Sequence, residues 1–107
     1  MLLNIQTNFL YSSEVINNDK TLKAQHRILD ICMNQNATHY INPIGGLELY
    51  HRDRFAEEGI DLFFIQSNKS VYRQFNQDFV PWLSIIDVLM FNSPEQTNLL
   101  FKQYQLN

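Results

Sequence analysis

Apolar and polar positions alternate in blocks along the chain, and each block predicts an element. Ile5 to Leu10 reads as a first strand: Ile5, Phe9 and Leu10 are apolar and Thr7 is β-branched, though Asn4, Gln6 and Asn8 interleave with them. Ser12-Ser13-Glu14 follows as a loop. From about Asp19 to Met33 the period becomes helical, with Asp19 as the cap and Leu22, Ile28, Leu29, Cys32 and Met33 on one face. Gln25 interrupts that stripe and Ile31 falls off it.

Ala37 to Ile41 predicts a second strand, ended by Asn42-Pro43, and Ile44-Gly45-Gly46-Leu47 a tight turn. His51 to Glu58 fits a short helix, with Asp53 near its start and Gly59 as a left-handed cap. Ile60 to Gln66 is a short apolar run, the pattern of a strand buried on both faces in a parallel sheet. Ser67 to Asn76 is polar loop. Ser84 caps a helix from Ile85 to Phe91, with Asp87 at capping-box spacing. Ser93-Pro94-Glu95 opens a second helix, which Leu99, Leu100 and Tyr104 are expected to pack onto the core.

This order predicts an α/β fold: a small, mostly parallel, three-stranded sheet flanked by helices, with a C-terminal helical pair, in a single domain over residues 1–107. Right-handed crossovers would align the carboxyl ends of the strands. The loops Tyr11–Glu14, Asn42–Gly46 and Gln66–Ser70 then meet at one edge, where open α/β sheets bind ligands.

Composition narrows the partners. Eight Lys+Arg against 11 Asp+Glu give a net charge of −3 without a basic cluster, so no nucleic acid is expected. A lone Cys32 excludes an intrachain disulfide and a multi-cysteine zinc site. No apolar run approaches a membrane span of roughly 20 residues. Met1-Leu2-Leu3-Asn4-Ile5-Gln6 lacks the marks of a signal peptide, so the expectation is a cytoplasmic protein. There are 12 Asn and 9 Gln against 19 charged side chains, so amides carry much of the surface polarity. Asn42, Gln74 and Asn92 are candidates for specific hydrogen bonds in a site or cap; Asn17, Asn18, Asn34 and Gln35 read as neutral surface.

Candidate chemistry is sparse. Gly45-Gly46 either lets backbone N–H groups approach an anion or carbonyl, or serves a reversal that needs positive φ. It is no nucleotide fingerprint, and no cofactor can be named. His39 is either a general base or a buried, hydrogen-bonded strand residue. Ser12 and Ser13 are either hydroxyl nucleophiles beside His39 or loop and capping residues. Asp87 is a capping acid or a carboxylate in apolar surroundings. Cys32 lies on an apolar stripe and is either a buried free thiol, the usual case there, or a nucleophile. Three histidines at these spacings make no metal motif.

Two blocks carry a family resemblance together. The first is Thr38-His39-Tyr40-Ile41-Asn42-Pro43-Ile44-Gly45-Gly46-Leu47-Glu48-Leu49-Tyr50, followed by Phe55, Gly59-Ile60 and Leu62. The second is Tyr72, Gln74-Phe75, Phe79, Pro81 and Leu83 through Asn92. From about Phe9 to Asn92 the chain resembles the WbqC-like protein family. The resemblance implies a bacterial protein of O-antigen or other surface-polysaccharide synthesis, transferring an amino-acid or acyl group to a sugar. It carries over no catalytic role but singles out Asn42, Gly45, Gly46, Tyr50, Ser84, Asp87 and Asn92.

Family members are about twice this long, so the chain resembles their C-terminal half. A homo-oligomer, or a partner covering an apolar face, is therefore expected. Two readings follow. One is a transferase module with His39, Asp87 and Ser13 as catalytic candidates and Ser12, Asn42, Gly45, Gly46, Tyr50 and Asn92 around a sugar-nucleotide or amino-acid donor. The other is a non-catalytic binding or structural module.

Overall fold

The computed structural model describes residues 3–14 and 21–107. Chain contacts divide it into two compact units: unit 1, chiefly Ser67–Gln105 with the residues up to Gln6, and unit 2, Thr7–Gln66 with Leu106–Asn107.

Unit 2 is built on helix α1 (Ala24–Asn34), strand β1 (His39–Pro43), a 3-10 turn at Ile44–Gly46, helix α2 (Arg52–Glu57) and strand β2 (Asp61–Ser67). β1 and β2 run parallel, with His39 opposite Asp61, Tyr40 opposite Leu62 and Asn42 opposite Phe64. Strand side chains alternate between faces, so Tyr40, Asn42, Leu62 and Phe64 share one face. Leu29 and Cys32 of α1 and Phe55 of α2 pack with Ile60, Leu62 and Phe64 as the buried core. Phe55 is fully buried, and the Tyr40 ring stacks on it at 5.7 Å. Gly59 closes α2 at φ +73, the left-handed cap expected from its position. Burial pushes the Cys32 thiol above its ordinary value, which suits an unreactive core residue.

The sheet is α/β and three-stranded, in the order β1-β2-β3, but its third strand comes from Tyr104–Leu106. Phe64 and Asn107 exchange both backbone hydrogen bonds at 2.9 Å, which makes β3 antiparallel to β2. The sheet is therefore mixed. The expected strand at Ile5–Leu10 does not form: Asn4 has left-handed φ, and Phe9 and Leu10 stay exposed. A strand needs a ladder partner as well as alternation, and this segment has none among the described residues. Tyr104, expected to pack a helix, belongs to β3, and Leu99 is exposed. α1 begins at Ala24, after Lys23, whose side chain makes no capping bond; the expected cap Asp19 lies outside the described residues.

Unit 1 holds helices α3 (Ile85–Phe91) and α4 (Pro94–Leu100) at the expected places. Ser84 Oγ accepts from Ile86 N at 3.2 Å and caps α3. The reciprocal capping box forms on α4 instead, where Ser93 and Gln96 satisfy each other's backbone N–H groups. Asn92 Nδ2 donates to Val88 O and Asn98 Nδ2 to Pro94 O, tying turns of the two helices.

Candidate functional site

In unit 2 the glycine turn is a tight packing arrangement. Neither Gly45 nor Gly46 has positive φ, so the reversal does not use that freedom. Gly46 is buried, and a Cβ there would run into Asn42 Nδ2 and meet the Tyr50 ring at 3.0 Å. Asn42 Oδ1 accepts from the Tyr40 hydroxyl at 2.8 Å, and its Nδ2 donates to Pro43 O at 2.9 Å. Burial, then the neighbouring Tyr50 and Cys32, push the Tyr40 hydroxyl above its ordinary value, so it stays a donor. Asn42 and Tyr50 thus both close on Gly46. Gly45 is exposed, with open space where a Cβ would stand.

His39 is exposed rather than buried, because its odd-numbered position turns it to the sheet face opposite Tyr40. Its Nδ1 lies 2.8 Å from Thr38 Oγ1, its Nε2 lies 3.7 Å from Asp61 Oδ2, and its ring stacks on Phe63 at 5.9 Å. Ser12 is half-buried and Ser13 exposed, in a turn closed by Glu14 N donating to Tyr11 O at 3.0 Å.

Asp87 sits in unit 1 within a denser polar arrangement. Its carboxylate does not return to the α3 N-terminus as a capping-box acid. Oδ2 accepts from the Tyr72 hydroxyl and from Gln74 Nε2, the latter at 2.8 Å. Among the described residues nothing bonds Oδ1. Desolvation, then the Asp87 bond, push the Tyr72 hydroxyl above the usual tyrosine value, so Tyr72 stays a donor at neutral pH. Gln74 is buried and also clamps Val80: Nε2 donates to Val80 O at 3.1 Å, and Oε1 accepts from Val80 N at 2.8 Å. Sequence reasoning marked Gln74 as a hydrogen-bonding amide, but no spacing rule places Tyr72 on Asp87.

Two surfaces adjoin this arrangement. Asp87 and Ser84 line a shallow groove with Phe75, Leu83, Ile86 and Met90. Tyr72 lines a cavity of about 250 Å³ with Lys69, Trp82, Phe101 and Gln103. Sequence reasoning missed that cavity; the available signal was a lone tryptophan inside Phe79-Val80-Pro81-Trp82-Leu83. Ser84 and Asn92 bracket α3, Ser84 on the groove and Asn92 holding the last turn.

Among the described residues no cluster of His, Cys, Asp and Glu could hold a metal ion, and no helix is long and apolar enough to cross a membrane.

The described chain is thus an α/β protein whose densest polar arrangement is centred on Asp87. It belongs to the WbqC-like protein family, whose model matches residues 1–99 and so takes in both the glycine turn and the Asp87 helix. No curated protein and no solved structure matches the chain.

Proposed function

We propose that this chain is a module of a bacterial surface-polysaccharide assembly protein, in which Asp87 is the base for transfer of an acyl or aminoacyl group to a sugar. Family membership supports the biological setting. The observation that carries the chemical role is the Tyr72–Asp87–Gln74 arrangement, in which two donors hold Oδ2 of a residue that lines the groove; Oδ1 is the oxygen assigned here to the substrate. In the reaction, a sugar amine or hydroxyl gives its proton to Oδ1 as its nitrogen or oxygen attacks the acyl carbon. The new C–N or C–O bond forms, the bond to the leaving group breaks, and the leaving group takes the proton from Asp87. Tyr72 and Gln74 fix the carboxylate's orientation throughout. His39 and Ser13, in unit 2, take no step in this reading.

The test is product formation by the full chain from an activated acyl donor and an amino sugar, read by mass spectrometry. Asp87→Asn keeps an acceptor for Tyr72 but removes the base, and is expected to lower turnover at least 100-fold, in line with the usual effect of losing an acid–base group. Undiminished turnover by folded Asp87→Asn would sink the assignment.

A second reading is a non-catalytic module that self-associates. It is favoured by α3, which buries none of its residues and leaves Ile86 and Met90 largely exposed. Light scattering decides it, and a monomer at high concentration counts against it.

A further inference from the structure

Trp82 combines exposure with an uncommon backbone conformation. It is 67% exposed, yet its backbone is held at φ +61, a region a bulky L-residue avoids. Phe75 shows the same pairing of features, 73% exposed at φ +51. The Gln74–Val80 clamp closes a loop in which Phe75 is the first enclosed residue, and Trp82 stands two residues beyond Val80. Phe75 has a reason in its own neighbourhood: its ring meets Phe91 edge-on at 4.8 Å. Trp82 has no ring contact of that kind among the described residues, and it lines the cavity. Strained backbone persists where surrounding structure enforces it, and such positions cluster at ligand sites.

The remaining lining mixes apolar side chains, among them Phe79, Leu83 and Phe101, with polar ones, and the polar ones set the choice of ligand. Lys69 stands at the cavity with Ser67, Asn68, Ser70 and Gln103, and no Asp or Glu lines it. Lys69 is the single charged side chain of that lining, with hydroxyls and amides beside the ammonium, and the Tyr72 hydroxyl that also lines it is engaged by Asp87. Its volume of about 250 Å³ falls just below the roughly 300 Å³ where drug-sized sites begin, which suits a single ring. A flat apolar face would lie on the indole, ring hydroxyls would meet Ser, Asn and Gln, and an anionic substituent would meet Lys69.

We infer that the Trp82–Lys69 cavity of unit 1 binds an anionic monosaccharide, ring face on Trp82 and phosphate or carboxylate on Lys69. This deepens the polysaccharide reading and rests on it for the sugar's biological source; Asp87's role as a base is a separate claim. Because Trp82 is the chain's single tryptophan, its fluorescence reports on the cavity directly.

The experiment titrates the full chain with glucose 1-phosphate, glucuronate, glucose and inorganic phosphate. A saturable change in Trp82 fluorescence is expected with one or both anionic sugars, and the two distinguish phosphate from carboxylate. Glucose and inorganic phosphate should bind at least tenfold more weakly. Lys69→Ala should weaken the anionic sugar at least tenfold by fluorescence. Trp82→Gly, which the backbone conformation favours, should do the same by calorimetry while its circular dichroism matches the wild type. The inference is overturned if neither anionic sugar gives a saturable change, if glucose binds as tightly, or if both variants bind as the wild type does. Binding without turnover removes only the Asp87 assignment. Turnover at unchanged KM in both variants removes only the Trp82–Lys69 site.

Discussion

Gln74 and the backbone of Val80 form a closed two-bond ring, the amide side chain donating to Val80 O at 3.1 Å and accepting from Val80 N at 2.8 Å. The same Nε2 also reaches Asp87 Oδ2. One buried neutral side chain therefore both closes the loop behind Trp82 and positions the carboxylate.

Gln74→Ala should consequently be among the most destabilising changes in unit 1. It strips partners from Val80 N, Val80 O and Asp87 Oδ2, and unmet buried groups cost about 1–3 kcal/mol each. A loss of roughly 2–4 kcal/mol is expected in urea unfolding, allowing for partial rescue by water. Gln74→Glu removes the donor and opposes Asp87 with a second negative charge, so it should be no better at neutral pH.

Tyr72 predicts an alkaline limit. Its hydroxyl is raised in the folded chain by desolvation and by Asp87. The protonated form is thus favoured by folding, so its contribution is complete below the unfolded value of about 10 and fades as pH rises through the higher folded value. Tyr72→Phe should be less stable than wild type at pH 7 by about 1 kcal/mol, with the gap closing above pH 10. Parallel unfolding curves across that range check the sign; a gap that widens would reverse it.

The two adjacent glycines should behave differently. Gly46→Ala drives a methyl into Asn42 Nδ2 and the Tyr50 ring, and should cost about 1–3 kcal/mol as an overpacked site. Gly45→Ala meets nothing and lacks a positive φ, so it should be neutral or slightly stabilising. Thermal melts of the two variants separate a packing role from a backbone one.

Thr97 offers a stabilising change. It is fully buried in α4, and its Oγ1 has no hydrogen-bond partner among the described residues. Thr97→Val keeps the shape and removes the unmet hydroxyl. A gain of about 1 kcal/mol in unfolding free energy is expected. A loss of similar size would mean that an ordered water serves the hydroxyl.

Local signals were readable where the physics is local. The helices α3 and α4 follow from Ser84 and Ser93-Pro94, and the α2 cap from Gly59, because capping is decided within one turn. β2 was legible as an apolar run, but it is buried on one face, by Leu62 and Phe64, while Phe63 and Ile65 on the other are only half-buried. The third strand was not: Tyr104–Leu106 is short and exposed, and it is a strand only because Asn107 finds Phe64, 43 residues earlier. Asp87 shows the same limit within a site. Its spacing from Ser84 suited a capping box, but Tyr72 and Gln74, distant in sequence, compete for the carboxylate and take it. His39 was judged by its strand but not by its face, and the face decided its exposure.

The amide excess has a consequence for the solution behaviour of unit 1. Gln74 on Val80, Asn92 on Val88, Gln96 on Ser93 and Asn98 on Pro94 fasten backbone with dipoles instead of ions. Dissolved salt screens charges over a Debye length of about 10 Å at 0.1 M but has little hold on a short neutral hydrogen bond. These fastenings are therefore little affected by ionic strength, and the scaffold keeps its shape at salt concentrations that would loosen one held by surface ion pairs.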